Sequence, residues 1–393
     1  MKKNTYMKYG LYFTQSFITL IDELLKDYYS DSLKREDFLH LFYLLEKHSS
    51  ENNLIELPRD IRKWFGTYGP NGKQKWKFVE LVKICESKSI ITSTSYSNYQ
   101  GNNYCKSYGY TQEFISKLID KEIEFQFCEI SEKTYNIINK NYTLPSDPIL
   151  LQHYNTISDL DIDLVKAEQF ARQYTGERFL RTVREISTIY NKDRIIVKSD
   201  IRTGRIFTSF NIMKKELREF CTYKGESLLH IDLKSSQPYL LSSILLKENP
   251  DNREVKRFYD LVTQQDLYDW LIEKWGGFEY HSKEESRIFV KKLFFSYLYK
   301  DNRGTNSAQL LMQDYFPDVY ELIKEKKRNE EIWLTLQKLE SDIFINVCNQ
   351  YVDEGCLSVH DSLYFVEGIR RDIEKSLSER FSLFNLINYT ISN

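Results

Sequence analysis

Apolar residues recur at helical spacing through most of the chain, broken by a few short runs with strand character. Phe17, Leu20, Ile21, Leu24 and Leu25, then Phe38, Leu41, Leu44 and Leu45, predict two helices within 15–48. Leu57-Pro58 to Gly66 predicts a helix that starts on proline and stops on glycine. Another helix is expected over 75–86, then a β-rich run from Ile90 to Tyr96 and a turn at 100–104. Tyr142 to Pro148, with two prolines, reads as a linker. Helical patterning resumes over 160–190, with Asp161 and Asp163 on its surface, and a mixed β/α core follows from about 195. An accessory domain over 1–145 is expected ahead of the linker, with the helical patterning and the β/α core behind it.

Two apolar runs near carboxylates carry the chemistry. Leu228-Leu229-His230-Ile231-Asp232-Leu233 predicts a strand ending on an aspartate. Leu357-Ser358-Val359-His360-Asp361-Ser362-Leu363-Tyr364-Phe365 predicts a strand, a His-Asp turn and a returning strand. Two aspartates at the ends of adjacent strands suit a two-metal site, which clamps the attacking and leaving oxygens of a phosphoryl displacement. Between them, Arg287, Lys291, Phe295 and Tyr299 step by four residues and form one stripe on a helix. Its cationic half suits phosphates and its aromatic half suits a sugar and base. An amphipathic helix with a basic edge is the plainer reading of the stripe alone.

Composition narrows the class without deciding it. Hydrophobic residues make up 41% and charged residues 28% of the 393, as in ordinary globular proteins. No apolar run approaches the roughly 18 residues of a membrane span, and the N-terminus has no signal-peptide core, so a cytoplasmic protein is expected. The six cysteines show no CxxC pair and no metal-ligand spacing. Net charge is only −2, yet 171–225 holds thirteen Lys and Arg against six Asp and Glu, a candidate phosphate-facing surface. Helix, helix and a β-rich pair in 1–145 follow the order of a winged helix-turn-helix. Lys73, Lys75, Lys77 and Lys83 would sit on its second helix and Lys106 on its wing; a helical subdomain packed on the core is the alternative.

In order and spacing, Asp232, the Arg287/Lys291/Phe295/Tyr299 stripe and His360-Asp361 resemble motifs A, B and C of family A DNA polymerases. The phage-type single-subunit RNA polymerases share the pattern. Motif A there reads roughly D-Y-S-Q-I-E, against Asp232-Leu233-Lys234-Ser235-Ser236-Gln237 here. Motif B reads R-x3-K-x3-F-G-x2-Y, matched except for Ser296 in place of glycine. Thr203-Gly204-Arg205 resembles the T-G-R element that grips primer–template, and Gln337 to Ile343 resembles the Q-G-x-x-A-D-I helix that touches the duplex. The likeness covers about 200–367.

The resemblance implies an α+β right hand, with an antiparallel palm sheet, helical fingers and a mostly helical N-terminal half, a thumb-like helical region falling over 146–200 and palm and fingers over 201–393. It implies a magnesium-dependent nucleotidyltransferase, a DNA polymerase of DNA replication, acting on a primer–template and nucleoside triphosphates. Asp232 and Asp361, with the carbonyl of Leu233, would hold two Mg2+ ions, with Mn2+ as a substitute. Arg287 and Lys291 would hold the triphosphate, Lys291 serving as general acid. Phe295 would pack on the sugar and Tyr299 guard the templating base, while Arg205, Gln337 and His360 would touch DNA.

Three departures bear on this expectation. Gln237 stands where the DNA enzymes place a Glu that excludes the ribose 2′-OH. His360-Asp361-Ser362 follows the RNA polymerase form of motif C, whereas Phe295 follows the DNA enzymes, and the balance leans to deoxynucleotides. No D-x-E exonuclease signature is present in the N-terminal half, so proofreading is not expected. A primase or RNA polymerase, a template-independent nucleotidyltransferase, and a catalytically silent nucleic-acid-binding protein are the competing functions.

Overall fold

The computed structural model describes residues 10–47, 55–56, 65, 67–68, 75–97, 104–139, 144–276, 282–299, 307–329, 331–384, 386 and 391–392. The protein is α+β, rich in helix, with its strands paired antiparallel. It forms two compact units, each discontinuous in sequence. The first joins Met1–Pro145, Ile157–Ile196 and Ile212–Gly225; the second joins Ser146–Thr156, Val197–Asn211 and Glu226–Asn393. The stretch 146–200 is thus divided between them. Among the described residues no helix is long and apolar enough to cross a membrane.

In the first unit the expected helix pair spans Gln15–Leu25 and Arg35–Lys47. Thr14 caps the first by accepting from the Phe17 N–H, and a bidentate Arg35–Asp22 ion pair ties the two helices together. Phe17 is the hub of an aromatic core, edge-on to Phe42, Tyr110 and Phe114. The helix expected over 57–66 lies outside the described residues except for Phe65, which is helical and buried. The helix Lys77–Ser87 and the hairpin of Ile91–Ser97 with Tyr104–Tyr110 are present. Of the lysines assigned to DNA, Lys77 instead pairs with Asp37 at 3.0 Å, and Lys83 is exposed. The side chains of Lys73, Lys75 and Lys106 lie outside the described residues.

One reading in this unit needs correction. Asp161 and Asp163 do not sit on a helix surface. Leu160–Ile162 is a strand paired with Cys221–Tyr223, and Asp163 caps the helix Leu164–Ala171 by accepting from the Lys166 N–H. A short carboxylate side chain is worth more at that cap than inside the helix, which is why the helix starts late.

The second unit is built on strands β1 (Val197–Ser199), β2 (Ile206–Thr208) and β3 (Glu226–Leu233) and helices α1 (Ser236–Glu248), α2 (Arg253–Gln264) and α3 (Leu267–Trp275). There follow α4 (Lys283–Tyr299), α5 (Ser307–Tyr315), α6 (Pro317–Asn329) and α7 (Ile332–Tyr351). The chain closes with β4 (Leu357–Val359), β5 (Ser362–Val366), α8 (Arg370–Leu383) and β6 (Ile391–Ser392).

Every residue of β5 is buried, which is why Leu363 to Val366 form a continuous apolar run and not an alternating one, and the buried Ser362 hydroxyl donates to the Val359 carbonyl. β5 pairs with β4 on one side and β3 on the other, and β6 pairs with the Asp232 end of β3. Ile332, Leu336, Ile343, Phe344 and Val347 give α7 its buried stripe. His153 meets Asn349 at 2.8 Å and Thr156 donates to the Val352 carbonyl, fastening 146–156 to the end of α7.

Candidate active site

The site lies in the second unit, where β3 and the β4–β5 hairpin end together. Asp232 is opposite Ser362 in the register, and the Leu233 N–H donates to the Asp361 carbonyl at 3.1 Å. That single backbone bond brings the two aspartates expected from sequence to one end of the sheet. The turns that present them are tight. His360, ahead of Asp361, and Ser235, between β3 and α1, have φ of +56° and +53°. Neither is glycine, and such left-handed residues cost energy that the surrounding structure must offset.

The charges at this end are not balanced. Burial, then the negative charges of Glu340 and Asp232, raise the Asp361 carboxyl to about 7, and only partly does the Lys291 ammonium oppose them. Carboxyls so perturbed beside a second carboxylate cluster at functional sites, though structural networks of charge produce them too. A cation would relieve the repulsion. Among the described residues no group of three or more His, Cys, Asp or Glu forms a ready-made metal cage. Two carboxylates and a carbonyl nevertheless suit Mg2+, which keeps waters and takes phosphate oxygens in place of a full protein ligand set. Asp232, Asp361 and the Leu233 carbonyl are the groups that would hold it.

The stripe forms on α4. Lys291 is exposed, with its ammonium 5.8 Å from the Phe295 ring centre and 6.0 Å from that of Tyr268. Phe295 and Tyr299 stack at 5.5 Å with 16° between their planes. Arg287 is held elsewhere: its guanidinium takes both oxygens of Asp266 at 2.7–2.8 Å and one of Asp269 at 2.8 Å. Asp266 is also the N-cap of α3, accepting from Tyr268 and Asp269 N–H groups. Arg287 therefore locks α4 onto α3 and would reach a phosphate only by exchanging these carboxylates for it.

The residue that sequence reasoning missed is Glu340. It is 2% exposed in the middle of α7 and accepts from three groups. One oxygen takes Arg205 Nη2; the other takes Ser236 Oγ at 3.1 Å and Gln237 Nε2. Gln237, itself 7% exposed, uses its Oε1 to accept from the Tyr299 hydroxyl at 3.1 Å. A chain of side chains thus runs from the β1–β2 hairpin through α7 and α1 to α4. The available signal was a Glu four residues after Leu336 and three before Ile343, inside the apolar stripe of a helix.

The three residues assigned to DNA are placed differently from one another. Thr203-Gly204-Arg205 forms the β1–β2 turn, with Gly204 at φ +74° donating its N–H to the Asp200 carbonyl at 2.7 Å. Arg205 turns inward to Glu340. Gln337 is half-buried on α7, one turn before Glu340. His360 is exposed at the hairpin turn, its ring 6.3 Å from that of Phe207. No protein-family model matches the chain, and no curated protein matches it.

Proposed function

We propose that this protein is a template-directed DNA polymerase without proofreading, a cytoplasmic nucleotidyltransferase with a right-hand palm and fingers in its second unit. The observation that carries the reading is the pairing of Asp232 and Asp361 at one end of the sheet, with Lys291 the cation whose charge opposes the rise in the Asp361 pKa. In this reading a primer 3′-OH attacks the α-phosphate of a deoxynucleoside triphosphate, forming a P–O bond as the bond to pyrophosphate breaks. Two divalent ions bound by Asp232, Asp361 and the Leu233 carbonyl would supply charge neutralisation at the attacking and leaving oxygens.

The chain's own groups do the rest. Lys291 holds the β- and γ-phosphates and gives a proton to the departing pyrophosphate. Phe295 and Tyr299, already stacked, offer a flat wall to sugar and base. Gln337 and His360 would meet the primer–template, and Arg205 would act from behind, through Glu340.

Primer extension on a labelled primer–template with Mg2+, supplying dNTPs and NTPs separately, tests the reading. Template-dependent growth with dNTPs supports it. Growth only with NTPs moves the protein to RNA synthesis, consistent with its His360-Asp361-Ser362 form of motif C. Growth without a template makes it a terminal transferase, and binding without growth makes it a silent scaffold.

A further inference from the structure

Glu340 enters that reading only as the partner of Arg205, yet it is buried and accepts from three side chains of the site. Its two oxygens take one guanidinium, one hydroxyl and one amide, and it lies beyond the reach of solvent. The amide is that of Gln237. A glutamine can present either its oxygen or its nitrogen, and burial beside a carboxylate decides the matter, because only Nε2 can donate to Glu340. The oxygen end is then turned to Tyr299, whose hydroxyl donates to it.

We propose that Glu340 is a positioning residue for sugar selection: it fixes the orientation of the Gln237 amide and so makes the site reject ribonucleotides. The inference rests on the polymerase reading and deepens it by naming what holds the sugar-selecting side chain in place. With one Gln237 N–H held on Glu340 and its oxygen accepting from Tyr299, the amide is fixed in place, and a 2′-OH brought against it meets a side chain that cannot turn aside to make room for it or to bond it. A deoxyribose has no such group to satisfy. Sites of this kind discriminate because a buried polar group left unpaired is penalised. The same geometry explains why an amide and not a carboxylate stands at 237: a Glu there would face Glu340 as a like charge.

The test is a charge exchange. Steady-state kcat and KM for dNTP and NTP incorporation are measured for the wild type, Gln237→Glu, Glu340→Gln and the double variant carrying both changes. Either single change is expected to lower the dNTP-over-NTP preference by about tenfold or more, mainly through KM for the two nucleotides. In the double variant an amide at 340 again donates to an oxygen at 237, and the preference returns to within about threefold of wild type.

A Glu340 that only stabilises the fold would lower both activities in parallel and leave the ratio unmoved, which overturns the proposal while the polymerase function stands. Single variants that lose the preference with no recovery in the double variant also overturn it. A wild-type enzyme that incorporates neither nucleotide overturns the function itself, and the proposal with it.

Discussion

Replacing Arg205 by methionine isolates the energetics of the buried network. The side chain of Arg205 is 17% exposed and Glu340 only 2%, so the substitution strands a carboxylate that cannot reach water. Removing one partner of a buried ion pair costs roughly 3–5 kcal/mol. Ser236 and Gln237 still donate to Glu340, which puts the expected loss at the lower end, about 3 kcal/mol. Glu340→Gln should cost less, about 1–2 kcal/mol, because the freed guanidinium is less deeply buried.

The double variant has no stranded charge, so its loss should fall short of the sum by about 2 kcal/mol. Urea unfolding read by hydrogen exchange of α7 peptides measures this in the second unit alone, whatever the first unit does. A loss below about 0.5 kcal/mol, or strict additivity, would show that the pair is screened and the network argument wrong.

Lys291→Ala should lower kcat by about 10²–10⁴ with primer–template affinity little changed, as measured by single-turnover incorporation and a binding titration; a loss under threefold removes it as the acid. Gly204→Ala should destabilise the β1–β2 turn by about 1 kcal/mol through its φ of +74°, since an added Cβ meets only Ser341 Cβ at an ordinary 3.7 Å; an unchanged urea midpoint would contradict the strain. In the first unit, burial lowers His40 from 6.5 to about 4, against the pull of Glu36. Its contribution is therefore present above pH 6.5 and lost as pH falls through about 4. Glu46 and Glu177, both raised to about 7 by burial, act in the opposite sense. The check is thus the difference between wild type and His40→Phe, which keeps a ring against Phe65: the variant should lose less stability between pH 7 and 5, and parallel curves would refute the assignment.

What could be read from the chain was local. The β4–β5 hairpin and β3 were legible because apolar runs broken at His360-Asp361 have few other solutions, and the α4 stripe because spacing by four defines a helix face. The helices Gln15–Leu25 and Arg35–Lys47 were legible for the same reason. The partners of the charged residues were not. Arg205 and Glu340 are separated by 135 positions, Gln237 and Glu340 by 103, and no periodicity encodes such pairings. Arg287 meets an Asp266 that also caps α3, and Gly10–Thr14 pairs with Phe125–Glu129 more than a hundred positions along the chain. The same non-locality hid the return of 157–196 and 212–225 to the first unit.

The account turns on Asp232 and Asp361 acting as one metal-binding pair. The most direct test is primer extension with dNTPs and Mg2+ by the wild type, Asp232→Ala and Asp361→Ala, with primer–template affinity measured in parallel. Template-dependent extension that falls by at least about a thousandfold in each variant, while affinity stays within about threefold, is the predicted result. Extension that survives either substitution, or binding that collapses with it, would contradict the assignment.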